Sequence, residues 1–304
     1  MRQPRIGLAL GCGAAKALVH MGVFKALEEH NIQIHAVSGC SMGAYVGALW
    51  ATGHSAEEMI QRAEDMKAKN ALKELADPII PPIKALFHGK KMRAQFEKAI
   101  GNVNIEELNH RYIAVAANLD NYQRVVFDSG NILDAVHASC AMPGIISPVE
   151  INGIRCVDGG VVDPVPVGAL RDYMDVDHII AVSTTPMLRD IDSDNFVPPE
   201  RDIAEDPEKQ SWLKSKLSNL GNKINPAASG NMLDTLRRSL KASQIRIAHD
   251  ACKRAHLSIH PICKETSWDD FDKYEHFIRL GEESTLEVID AIKELTQPIP
   301  VVEE

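Results

Sequence analysis

Three short stretches carry residue types at spacings that can do chemistry. The first is Val37-Ser38-Gly39-Cys40-Ser41-Met42-Gly43-Ala44, where Gly39-x-Ser41-x-Gly43 separates an apolar run, Ile34 to Val37, from a small-residue helix expected over Ala44 to Ala51. A strand-to-helix turn this tight requires neighbours without large side chains and pushes its serine out of the sheet. The serine then sits at a helix N-terminus, where free N–H groups and the helix dipole favour negative charge. Ser41 is therefore a candidate nucleophile for acyl transfer. The second stretch, Gly11-Cys12-Gly13-Ala14-Ala15-Lys16, follows another apolar run and offers unobstructed backbone N–H groups from Gly11, Gly13 and Ala14. Acyl transfer needs such donors for the developing oxyanion as much as it needs a nucleophile. The third is Asp158-Gly159-Gly160 after Ile154 to Val157, where two glycines allow a tight turn and close backbone approach.

The proton acceptor is less determined. A Ser, Asp or Glu, His order would suit an α/β-hydrolase triad, and His178, His249, His256 and His260 all lie downstream of Ser41. Such a fold places its elbow several strands into the sheet, whereas this elbow ends the second strand. Asp158 is the other candidate, and on Asp-Gly alone it also reads as an ordinary turn aspartate. Two nucleotide-binding readings fail. The dinucleotide fingerprint wants a third Gly where Lys16 stands and an acidic residue ending the second strand, and no Gly-Lys-Ser/Thr follows the first strand.

The elements that must position these residues alternate. Arg5 to Leu10 reads as a strand and Ala17 to Glu29 as a helix with Val19, Val23 and Leu27 on one face, followed by the second strand and the elbow helix. This is the βαβ signature of a parallel sheet. Ser55-Ala56-Glu57-Glu58 is a capping box opening a charged helix to Lys69. Asn70 to Gly101 is expected to be irregular. Pro78, Pro81 and Pro82 interrupt it, and Lys84, His88, Lys90, Lys91 and Arg93 interleave with Leu86, Phe87 and Met92. A lid or lipid-facing surface and a solvated connector both fit that pattern.

Tyr112 to Asn118, Arg124 to Phe127 and His178 to Ser183 read as strands, and Asn131 to Ser139 as a helix. Residues 185–231, rich in Asp, Glu, Pro, Asn and Ser, have the composition of a mobile insertion. Met232 to Ala248 is an amphipathic helix, a core element or a membrane contact by its pattern. Leu257 to Pro261 is a last strand and Tyr274 to Leu295 a last helix. The expected division is a core over 6–184, the insertion over 185–231, and C-terminal helices and a strand over 232–304 packing on the same domain.

At 304 residues the chain can bury a large core, and 45% hydrophobic with 25% charged residues is ordinary for a globular protein. A net charge of -9 argues against nucleic acid as a partner. No stretch approaches the ~20 apolar residues of a membrane span, and the N-terminal apolar run is too short for a signal peptide. The six scattered cysteines include no CxxC pair, which argues against zinc and against a disulfide framework. The expected compartment is the reducing cytoplasm, with peripheral membrane contact if the substrate is a lipid.

Taken together, the Gly11 to Lys16 turn, the Gly39-x-Ser41-x-Gly43 elbow and Asp158-Gly159-Gly160 resemble the patatin-like phospholipase family, in particular its small bacterial members. Val161 to Pro166, Ala138 to Gly144 and His20-Met21-Gly22-Val23 share the likeness, which runs from about Ile6 to Thr184. The resemblance implies a three-layer α/β/α sandwich with a mainly parallel central sheet. It also implies a lipid or small ester substrate, and a Ser–Asp dyad with Ser41 as nucleophile and Asp158 as proton acceptor. Gly11, Gly13 and Ala14 would then form the oxyanion hole, with Lys16, Gly39, Gly43, Gly159 and Gly160 supporting the loops, and no metal or cofactor. The chain departs from the family at Cys12, Ala14 and Ala17, where glycine is typical, and at Lys16, where arginine is. A regulatory or partner-binding protein on the same fold is the alternative that these departures and the insertion motivate.

Overall fold

A computed structural model describes residues 1–68, 76–81, 84–191, 232–261, 266 and 269–300. Most of the expected insertion (192–231), Cys263, and the stretch around Lys69 and Asn70 lie outside the described residues. The strands are β1 (Ile6–Leu10), β2 (Ile34–Cys40), β3 (Arg111–Asn118), β4 (Arg124–Phe127), β5 (Val149–Ile151), β6 (Ile154–Asp158), β7 (His178–Val182) and β8 (Leu257–Ile259). They form one sheet in the order β5-β6-β3-β2-β1-β7-β8, with β4 also pairing with β3. From β3 through β2, β1 and β7 to β8 every pairing is parallel, and β4, β5 and β6 add an antiparallel end.

Helices cover both faces, so the architecture is the expected α/β/α sandwich. On one face lie α1 (Val19–Glu29), α2 (Met42–Ala51), α3 (Ala56–Ala68), α4 (Lys90–Ile100) and α5 (Ile132–Ser139). Across the sheet lie α6 (Val167–Tyr173) and α7 (Met232–Cys252), while α8 (Tyr274–Leu286) returns to the first face against α1. A last helix, α9, runs from Ile289 to Leu295.

The two-residue alternation of the strands sorts the core. Ile6, Leu8 and Leu10 of β1 join Val19, Val23, Leu27, Leu133 and Phe277, while Ala9 meets Leu170, Ala248 and Ala251 on the other side. Strands β2, β3 and β7 sort in the same way, with Val37, Tyr112 and Ile180 on the first face. The second face is lined by small residues, Ala9, Ala36 and Ala181, so α6 and α7 approach the sheet closely.

Several elements differ from expectation for identifiable reasons. Strand β2 continues to Cys40 and α2 begins at Met42, so the turn between them is Ser41 alone. Lys90–Ile100 is a helix inside the segment expected to be irregular. Gly89, at φ 84, turns the chain into it, and Met92, Phe96 and Ile100 are buried in the core while Lys84, Lys90 and Lys91 are exposed. The apolar members of this basic stretch thus face inward. The single helix expected from Tyr274 to Leu295 is broken at Glu287 and Val288, where Val288 leaves helical geometry at φ -118. Strand β5 has three residues, too few to show periodicity. Among the described residues no helix is long and apolar enough to cross a membrane.

Candidate active site

The C-terminal ends of the parallel strands share one edge, and the chemistry-bearing turns gather there. Cys40 pairs with Val115 of β3, and on the same edge of β3, one residue farther along, Asp158 pairs with Ala116, while β4 takes the opposite edge. Ser41, one residue beyond Cys40, therefore lies beside Asp158, where β2 ends and β6 takes over the same edge of β3. Its Oγ donates a hydrogen bond of 2.6 Å to Asp158 Oδ2, and both residues are buried. Asp158 Oδ1 accepts from Gly160 N–H at 2.8 Å.

The serine turn is strained. Ser41 has φ 56 and ψ -130, a region that side chains other than glycine rarely occupy and that costs about 1–3 kcal/mol. The surroundings hold it there. Ser41 N–H donates to Ser139 Oγ at 2.8 Å, Ser139 Oγ donates to Val115 O at 2.6 Å, and Ser41 O accepts from Ala44 N–H at 2.8 Å. A Cβ on Gly43 would stand 2.5 Å from Leu10 O and 2.6 Å from Gly11 O, and one on Gly39 would collide with the Ala44 backbone. The elbow and the first turn therefore do converge, and only glycine lets them.

The Gly11 to Lys16 turn corrects one expectation. Gly11 N–H donates to Val182 O at 2.9 Å, extending the β1–β7 ladder, so Gly11 is not an oxyanion donor. Cys12 N–H is likewise engaged, by Pro164 O at 2.9 Å. The N–H groups of Gly13 and Ala14 have no acceptor among the described residues and remain available. Gly13 is set by space, since a Cβ there would lie 2.5 Å from Thr184 Oγ1, which itself donates to Cys12 O at 2.6 Å. Ala14 takes φ 47, left-handed backbone that explains why glycine suits this position. Lys16 is buried, and its N–H closes the turn on Gly13 O at 3.0 Å. Gly159 and Gly160 are pressed against β3 and against Asp158 itself, respectively.

Burial dominates the electrostatics. Loss of solvent pushes the Asp158 carboxyl up to about 6, against the opposing hydrogen bonds from Ser41 and Gly160. Burial also raises the thiols of Cys40 and Cys140, which stay protonated and neutral beside the pair. His20, fully buried, is held down to about 4, and its neutral ring hydrogen-bonds Gly11 O through Nε2 at 2.8 Å. The histidines expected for a triad do not reach Ser41. His178 begins β7, at the opposite edge of the sheet, where its ring meets that of His256 edge-on at 4.9 Å. No histidine hydrogen-bonds Ser41 or Asp158 among the described residues, and none of these holds a group of three or more His, Cys, Asp or Glu suited to a metal ion.

The family model described as patatin-like phospholipase matches residues 8–171, the stretch that carries the first turn, the elbow and Asp158. The chain belongs to the patatin-like phospholipase family. Among its relatives is an uncharacterized NTE family protein of Mycobacterium tuberculosis, 33% identical over 231 residues, or 76% of this chain and 61% of that protein. Lysophospholipase NTE1 of Yarrowia lipolytica is 30% identical over 167 residues, 55% of this chain and 12% of that protein. The chain thus spans under two thirds of the length of the relatives it matches. VipD from Legionella pneumophila matches in structure with a TM-score of 0.48 at 14% identity, covering 96% of this chain and 67% of that one.

Four residues at this patatin-like site were not given roles by sequence reasoning. Ser139 and His20 fall in stretches that resemble the family, yet their contacts arise only on folding. Thr184 follows β7, and its place beyond a parallel strand's C-terminal end is a signal the sequence does carry. Gln244 comes from α7, far along the chain, and no local pattern marks it.

Proposed function

We propose that this chain is a serine acyl hydrolase of lipid esters that works through a Ser41–Asp158 dyad. The observation that carries the reading is the 2.6 Å hydrogen bond from Ser41 Oγ to a buried Asp158 carboxylate. As Ser41 Oγ attacks the ester carbonyl, its proton passes to Asp158 Oδ2. The N–H groups of Gly13 and Ala14 stabilise the oxyanion of the tetrahedral intermediate. The proton then passes from Asp158 to the leaving alcohol oxygen, and the acyl-enzyme remains. Water, deprotonated by the same carboxylate, hydrolyses it and restores Ser41. A base pushed up to about 6 is ionised at neutral pH and still basic enough for the task. Membership of the family, and the name of the fungal lysophospholipase relative, favour a lipid ester as substrate.

In the same reading, 6–184 form the catalytic core and 232–304 complete the domain, supported by β8 on the edge of the sheet and α8 on α1. The protein works in the cytoplasm, with the exposed Lys84, Lys90 and Lys91 as the first place to look for peripheral contact with lipid.

The test is hydrolysis of a short-chain aryl ester, followed by a lipid panel. Ser41→Ala and Asp158→Asn each lower kcat by about a thousandfold or more while the fold is kept, and wild-type kcat/KM falls below about pH 6 as Asp158 takes up its proton. Unchanged hydrolysis in either variant rejects the dyad. A regulatory protein with weak catalysis is the second reading, favoured by the strained Ala14 in the donor turn. Failure of a fluorophosphonate to label Ser41 in the folded protein would select it.

A further inference from the structure

Helix α7 lies outside the stretch matched by the family model, yet it reaches the turn that follows Asp158. Ala248, Ala251 and Cys252 pack its C-terminal half onto the small-residue face of the sheet. Gln244 stands one turn before Ala248 on the same side of the helix, so this stripe continues past the strand ends and over the turn at Gly159 to Val161. A Cβ built on Gly160 would meet three atoms at 3.0 Å: Asp158 Oδ1, Cys12 Sγ and Gln244 Nε2. The three converge on one point, so the amide nitrogen is no farther from the carboxylate oxygen than twice that distance. Gln244 is half-buried, and its amide makes no hydrogen bond to any described residue. A donor so placed has lost part of its water and gained no protein partner, which leaves room for an acceptor brought by a ligand.

Its direction narrows the acceptor. Asp158 Oδ2 faces Ser41, and Gln244 approaches from the Oδ1 side. Since Asp158 returns the proton from Oδ2 to the leaving oxygen, the departing alcohol lies against this carboxylate, and a polar head extending past it toward Oδ1 comes within reach of Gln244. We propose, on the dyad reading above, that Gln244 is a specificity-determining residue whose amide N–H donates to an oxygen on the polar head of the leaving alcohol, favouring esters of hydroxylated alcohols over esters of plain ones. The glycine at 160 keeps the path from Gln244 to the dyad open.

Two esters of one acyl chain separate the possibilities, a p-nitrophenyl ester and a monoacylglycerol, assayed with wild type, Gln244→Leu, Gln244→Asn and Ser41→Ala. Leucine keeps the bulk and removes the donor. Gln244→Leu is expected to lower kcat/KM for the monoacylglycerol about three- to tenfold, through KM, with less than about a twofold change for the aryl ester. Gln244→Asn, a shorter amide, is expected to fall between wild type and Gln244→Leu. Equal losses on both esters would mean a structural role and overturn the assignment, as would no loss on either. If Ser41→Ala hydrolyses both esters like wild type, the dyad reading itself fails and the Gln244 assignment falls with it.

Discussion

Asp158 combines two demands that oppose each other. Burial gives it a proton affinity matched to neutral pH, and the same burial makes its ionised form costly to fold around. The folded state binds the Asp158 proton more tightly than the unfolded chain, so its contribution makes the protein less stable as pH rises from about 4 to about 6, and the full cost remains above that window. Asp158→Asn removes the buried charge and keeps an oxygen to accept from Gly160 N–H. It should therefore stabilise the protein at pH 8, by up to roughly 3 kcal/mol for a shift of this size, with the gain disappearing below about pH 4. Thermal melts of both proteins across that range check this, and a variant no more stable than wild type at pH 8 counts against a strongly desolvated carboxylate. Ser41 and Asp158 were legible in sequence because each sits in a motif whose glycines are demanded by the turn. Ser139, which holds the Ser41 amide, was not legible, because its partners come from the turn after β2 and from β3 and meet it only through tertiary packing.

At the scale of elements, the donor turn between β1 and α1 is where local preference and function disagree. Ala14 holds φ 47, which costs an alanine about 1–2 kcal/mol relative to glycine. Ala14→Gly relieves that strain and loosens the unfolded chain by a comparable amount. Urea denaturation is therefore expected to show stability unchanged or raised by up to about 1 kcal/mol. Ala17→Gly, in the 3-10 turn that follows, should cost about 1 kcal/mol, the ordinary penalty. A loss in Ala14→Gly as large as that in Ala17→Gly would show that the turn does not need left-handed backbone. Most elements were readable from their period and caps. The Ser55–Glu58 capping box forms in both directions, and Asn131 caps α5 as its position suggests. Helix α4 was hidden because its neighbours are prolines and lysines, and only the core reveals which residues of Lys90–Ile100 face inward.

The molecule as a whole ties its C-terminal part to the site from both faces of the sheet. On one face α7 brings Gln244 to Gly160. On the other, α8 crosses α1, the helix that follows the donor turn, at a point where two glycines meet. A Cβ on Gly281 would overlap Val19 O, and one on Gly22 would overlap Ile278 O. Gly281→Ala should accordingly cost about 2 kcal/mol or more in urea denaturation and lower ester hydrolysis with it, because α1 cannot shift without moving Gly13 and Ala14. A neutral result would mean that the two helices separate freely. This crossing was invisible in the sequence, where no local pattern pairs Gly22 with Gly281.

The register around β3 has one more consequence. Ser41 and Asp158 are carried by two strands that share one edge of β3, adjacent to each other only because Cys40 faces Val115 and Asp158 faces Ala116. A two-residue slip along that ladder would separate them by about 6.6 Å. The β5–β6 hairpin bearing Asp158 is held to β3 by three residue pairs, the kind of small unit that opens before the rest. Activity should therefore be lost on warming by fraying of this edge, below the temperature of global unfolding. Amide hydrogen exchange at Ala117 and Val157 should accelerate in step with that loss, while the amides of β1 stay protected. The protein would then carry its own thermal fuse, set by three paired residues on one strand edge.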